Sequence, residues 1–166
     1  MNRISTRSDG RAIVNEDLKP LWHGEVTNHS FTSRAAMEQV LTIPLMKNTN
    51  NVRIVLQHLS GSPVEVDKFT FTITDENGWM DYDNSLLEDE QLTYYAWRTD
   101  DGVAELNADG SRAQTSIGVA IAELTGGRLV MENNPVLTIT NDEGEKVLSI
   151  PLIDYALLVK GFYNRD

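Results

Sequence analysis

The sequence predicts an all-β protein built from antiparallel strands. Three observations carry that prediction: apolar residues recur with period two in short runs, Gly, Asn, Asp and Pro punctuate the runs, and helical periodicity is confined to two short segments. With 166 residues, 40% of them hydrophobic, the chain can build one packed core without disulfides or metal.

Residues 1 to about 35 are polar and poorly patterned, and LWHGEV at 21–26 is their only strand candidate. They read as a tail or as the remnant of another unit. SRAAMEQV, from Ser33, offers one or two helical turns, and LTIPL, with Pro44, is a strand-like run whose proline suits an edge or a strand end. In NNVRIVLQHL, Val52, Ile54 and Leu56 share a face opposite Arg53 and Gln57. In VDKFTFTIT, Phe69, Phe71 and Ile73 oppose Lys68, Thr70, Thr72 and Thr74, so one side meets a core and the other water. DENG at 75–78 ends that strand. LTYYAWRT carries aromatics on both faces, and SIGVAIAEL and RLVM are further strand candidates.

PVLTIT, NDEG and EKVLSIPL read as a hairpin in which Leu137 and Ile139 answer Leu148, Ile150 and Leu152. Asn141 starts its turn and Gly144 supplies the left-handed residue that closes it. LSIPL, with Pro151, echoes LTIPL without proving a repeat. In IDYALLVKG, Asp154 favours a helix start and Gly161 a stop, yet the segment is apolar all round and reads equally as a buried strand.

Composition excludes several classes. Twenty-five acidic side chains against 14 basic ones leave a net charge of −11, which repels phosphate backbones and anionic lipid headgroups. The absence of cysteine removes Cys₄ zinc sites, thiol nucleophiles, redox pairs and, in this chain, a lipid anchor through sulfur. No apolar run approaches the roughly 18 residues of a membrane-spanning helix. Arg3, Arg7 and Arg11 precede no apolar block, so the start is not a secretory signal, and either a cytoplasmic protein or one lacking its own beginning is expected.

No nucleophile elbow, phosphate-binding glycine loop, H-E-x-x-H or dinucleotide fingerprint occurs, so neither a catalytic residue nor a cofactor is expected. His23, His29 and His58 lack the spacing of a helical ligand pair and read as surface or half-buried strand residues. The densest polar cluster is DENGWMDYDN, where Asp75, Asn77, Asp81 and Asp83, with Asn84, offer the oxygens calcium favours. The spacing is not that of an EF-hand, and a solvated acidic loop is the default. Asn28-His29-Ser30 matches a glycosylation triplet that chance often supplies. Trp79, Tyr82, Tyr94, Tyr95 and Trp97 could line a sugar-binding surface, although strand aromatics usually pack in a core or across strands.

From LTIPLMKNTNNVRIVLQHLSG onward the words FTFTITDENGWMDYDN, LTYYAWRT and AELTGGRLVMENNPVLTITNDEGEKVLSIPLIDYALLVKG resemble the second half of the FimB-type fimbrial subunits, minor anchoring components of bacteroidete-type surface fimbriae. KNTNNVR, DENG-x-x-DYDN and IPLIDYALL are the most specific words, and the likeness runs from about residue 21 to the end. It implies transthyretin-like β-sandwiches, export, lipidation near the N-terminus of the complete protein and residence at the outer membrane. On that footing residues 1–47 are expected to be the end of a preceding sandwich plus a polar tail, and residues 48–166 a transthyretin-like sandwich lacking closing strands. The expected role is non-enzymatic: a fimbrial, cell-adhesion subunit whose open sheet edge adds a strand from another subunit or another copy. A carbohydrate-binding β-sandwich is the rival reading.

Overall fold

The computed structural model describes residues 2–3, 6–8, 11–30, 40–58, 62–105 and 116–163. In chain order the strands are β1 (Asn2–Arg3), β2 (Thr6–Ser8), β3 (Arg11–Val14), β4 (Trp22–His23), β5 (Met46–Lys47), β6 (Thr49–Leu56), β7 (Phe69–Asp75), β8 (Trp79–Met80), β9 (Leu92–Tyr95), β10 (Arg98–Glu105), β11 (Ser116–Gly127), β12 (Val136–Asn141) and β13 (Lys146–Pro151), followed by helix α1 (Leu152–Tyr163). A six-stranded sheet runs β13-β12-β7-β9-β3-β2 and a three-stranded sheet runs β10-β11-β6. Two short ribbons, β1-β8 and β4-β5, flank them. All pairings are antiparallel except β3 with β9.

Period-two patterning decides which face each strand buries. Register aligns Ile150, Leu137, Ile73, Tyr94 and Val14 into one row across five strands of the large sheet. Four of these are buried and Ile150 partly so. Ala120, Ala122 and Leu124 of β11 meet this face, with Val52, Ile54 and Leu56 of β6 beside them. The small alanines face bulky Phe71 and Tyr94, which lets the sheets interdigitate into one sandwich core. Truncating a fully buried member such as Ile139 costs about 2–5 kcal/mol, from lost burial plus the cavity left behind.

The expected strands are present at Thr49–Leu56, Phe69–Asp75 and Ser116–Gly127, and the hairpin at Val136–Pro151, but Val66–Lys68, expected to open the second strand, is a 3₁₀ turn and Leu152, expected in the hairpin, begins α1. Gly144 has φ +80°, and its amide donates to the Asn141 carbonyl at 3.0 Å, as the turn chemistry requires. LTYYAWRT is not one strand. The Ala96 amide still donates to Phe71 of β7, whereas the next amide, Trp97, donates to Glu123 of β11. The chain therefore changes sheets between these residues. RLVM is not a strand either: it leads into a 3₁₀ turn, Met131–Asn133, closed by Asn134 at φ +47°. Residues 41–45, around Pro44, lie outside any strand, while Pro151 ends β13 as expected.

IDYALLVKG resolves to a helix that runs past Gly161 to Tyr163. Pro151 halts the strand, and the Leu152 amide turns to the Pro135 carbonyl at 2.9 Å, leaving no ladder for a further strand. The helix proposed in SRAAMEQV lies, but for Val40, outside the described residues. Within residues 1–35, Ala12 and Val14 are buried in the same core cluster and β3 pairs with β9. Period two over four residues among polar neighbours was too weak a signal to reveal this.

Candidate assembly surface

β13 pairs with β12 on one side, and among the described residues no strand pairs with its other edge. The hairpin that holds it is built locally: the Glu145 amide donates to Asn141 Oδ1 at 2.7 Å and the Asn141 amide to the Glu145 carbonyl at 2.9 Å. A bulge follows, because Ile139 faces Leu148 whereas Thr140 faces Lys146, so Val147 is the extra residue. Leu148 shares the core face with fully buried Ile139, yet is 39% exposed. Three strands cannot cover six, and the uncovered part of the core face falls at β13. Val147 is exposed beside it, and α1 continues the apolar surface with Tyr155, Leu157 and Leu158 exposed. Lys146 and Pro151 mark the two ends of the free edge.

At the opposite end of β7, the acidic loop divides into a buried base and an exposed rim. Asn77 is buried: its Oδ1 accepts from the Tyr94 hydroxyl at 2.5 Å and its Nδ2 donates to the Arg128 carbonyl at 2.9 Å. Burial pushes the Tyr94 hydroxyl above the ordinary tyrosine range. Asp75 is buried too and accepts the Glu76 amide at 2.7 Å. Desolvation raises its pKa, against the lowering effect of hydrogen bonds from Glu76 and Asn133. On the rim, Asp81 accepts the Tyr82 amide at 2.8 Å, and Asp83 accepts the Ser85 amide at 3.0 Å and hydroxyl at 2.7 Å. The two Ser85 bonds hold the Asp83 carboxyl below its usual value. Asp75, Asn77, Asp81 and Asp83 thus serve the loop's own turns and the core. Among the described residues no three His, Asp or Glu side chains converge where a metal ion could be held.

Of the five aromatics considered for sugar stacking, Trp79 is half-buried in β8 and the other four go to different places. Tyr94 is inside the core, and Tyr95 turns to the opposite face of β9. Trp97 lies beside Arg53 and Glu123, whereas Tyr82 stands exposed on the acidic loop. His23, His29 and His58 do not converge either, and no described helix is long and apolar enough to cross a membrane. The sequence analysis expects an open sheet edge, but LSIPL reads the same whether or not a second sheet covers it, so the exposure of Leu148 is known only from the structure.

The described residues form a two-sheet all-β sandwich with apolar side chains exposed at β13 and α1. The chain belongs to the Mfa2 family, the fimbrillin-A associated anchor proteins Mfa1 and Mfa2, whose profile matches residues 2–166. Among solved structures it is similar to a Bacteroides thetaiotaomicron protein provisionally named an adhesin (39% identity, TM-score 0.65, covering 74% of this chain and 40% of that one). It is also similar to a protein of the same organism provisionally named polysaccharide-binding (28% identity, TM-score 0.67, covering 86% and 46%). The fimbrial anchor protein Mfa2 of Porphyromonas gingivalis shares the fold (16% identity, TM-score 0.56, covering 90% and 49%). The chain spans less than half the length of each of these. A comparison with curated protein sequences finds no match. Members of this family include fimbrial anchor proteins.

Proposed function

We propose that this chain is a non-enzymatic fimbrial subunit of the cell-adhesion type, which anchors or assembles surface fimbriae through strand addition at β13. The observation that supports this most is Leu148, exposed on the face where its cross-strand partner Ile139 is fully buried. A strand from another fimbrial subunit, or from a second copy, added along β13 would satisfy the free backbone groups and cover that face. Residence at the outer membrane through lipid anchoring belongs to the same proposal.

Size-exclusion chromatography with light scattering over a dilution series tests the reading. The expected result is concentration-dependent association that Leu148→Lys abolishes without loss of the folded signal, because a charge on an edge strand opposes pairing. A dilution-resistant monomer that binds little dye for apolar surface would overturn it.

A further inference from the structure

Where the β4-β5 ribbon meets the turn after β8, Trp22, His23, Asn48, Asp81, Tyr82 and Asn84 line a cleft of about 170 Å³. Its aromatic residues are displayed rather than packed away: Trp22 is 54% exposed and Tyr82 81%. A large ring held in water beside polar groups offers a flat apolar face with hydrogen-bonding neighbours.

The polar groups have unused capacity. Asn48 is only 2% exposed, and its Nδ2 donates to Asn84 Oδ1 at 2.5 Å, but its Oδ1 has no hydrogen-bond partner. Nε2 of His23 is likewise buried without one. Buried polar atoms are nearly always paired, so an orphan in the wall of an open cleft points to a ligand group. Asn84 holds the left-handed conformation, φ +67°, that brings its side chain to Asn48. The Asp81 carboxylate accepts one backbone amide through Oδ1, which leaves Oδ2 for a further donor.

Charge and size narrow the ligand. A second hollow of about 390 Å³ shares His23 and Asn84 with the cleft and adds Glu25, Asp83 and Arg128. Three carboxylates against one guanidinium, on a chain of net charge −11, disfavour an anion. The cleft is below the roughly 300–1,000 Å³ of sites for drug-sized ligands, so it suits one ring, with the second hollow extending it. We propose that this cleft is a binding site for a neutral saccharide, one ring stacking on Trp22 or Tyr82 while its hydroxyls donate to Asn48 Oδ1 and the Asp81 carboxylate.

This site is separate from β13 and does not rest on the strand-addition reading. The test is titration of the full chain with glucose, mannose, galactose, N-acetylglucosamine, cellobiose and lactose, followed by ¹H–¹⁵N NMR. At least one sugar is expected to shift the Trp22 indole and Asn48 side-chain signals, with a dissociation constant on the order of 1 mM. Trp22→Ala or Tyr82→Ala, whichever removes the stacking ring, should weaken it by about 10-fold, and a double variant that still binds as the parent does would overturn the proposal. Both positions are exposed, so the melting temperature should hold, and Tyr95→Ala should leave binding unchanged. The proposal is overturned by an absence of shifts at tens of millimolar (about 10 times the expected constant), by shifts confined to Tyr95 and Trp97, or by tighter binding of glucuronic acid than of glucose.

Discussion

Replacing Tyr94 with phenylalanine removes one hydroxyl and leaves the ring, so the change deletes the bond to Asn77 beneath the acidic loop together with the one accepted from the Gly127 amide. Both side chains are about 1% exposed, and the hydroxyl donates to Asn77 Oδ1 at 2.5 Å. Without it, Asn77 keeps its bond to the Arg128 carbonyl but its buried Oδ1 loses the hydroxyl donor. Such an orphan costs about 1–3 kcal/mol, and the lost surface burial is negligible by comparison. A loss of about 2 kcal/mol corresponds to a melting temperature roughly 4–8 °C lower for a domain of this size. Asn77→Ala should cost more, about 3 kcal/mol, because it orphans the Tyr94 hydroxyl and the Arg128 carbonyl together. Urea unfolding followed by tryptophan fluorescence measures each variant. The double variant should lose less than the sum, since each single change breaks the same bond. If Tyr94→Phe stays within about 0.5 kcal/mol of the parent, or the losses simply add, the buried pair does not brace this end of the sandwich.

The same hydroxyl makes a pH prediction. Its folded pKa lies above the unfolded value of 10.0, so its contribution is complete below pH 10 and is lost as the pH rises above it, because unfolded tyrosine ionises first; absorbance at 295 nm should show one tyrosine titrating after the others. For Asp75 the folded pKa is raised above 3.8, so the two states bind protons alike below that pH and the parent then loses stability as its carboxyl ionises in a buried place. Asp75→Asn should therefore be the more stable protein at pH 7, with the difference vanishing in acid, as melting curves across pH would show. Gly144→Val places a β-branched residue at φ +80° and should cost about 1–2 kcal/mol, read as a lower urea midpoint with unchanged slope.

Much of the fold was legible because it is local. Alternation in FTFTIT and VLTIT states which side chains share a face, and Asn141 with Gly144 states where the hairpin turns, since both depend on neighbours a few residues away. The acidic loop was visible as composition. Its division was not, because Asn77 is buried against Tyr94 and Gly127, which reach it only through the sheets. Gly127 shows how close that packing is: a β-carbon there would lie 3.0 Å from both Asn77 Nδ2 and the Tyr94 hydroxyl.

By itself the amino-acid order determined the class of the protein, its strand faces, its turns and its acidity, properties written in periods of two and in single residues with special backbone freedom. Tertiary structure alone decided three further things. It drew β3 into the core, moved the chain between sheets at Ala96 and Trp97, and joined Trp22 to Tyr82 across one cleft. It also left β13 bare. Whether an apolar strand face is covered depends on how many strands the opposite sheet contributes, and that is a property of the assembled layers rather than of any segment.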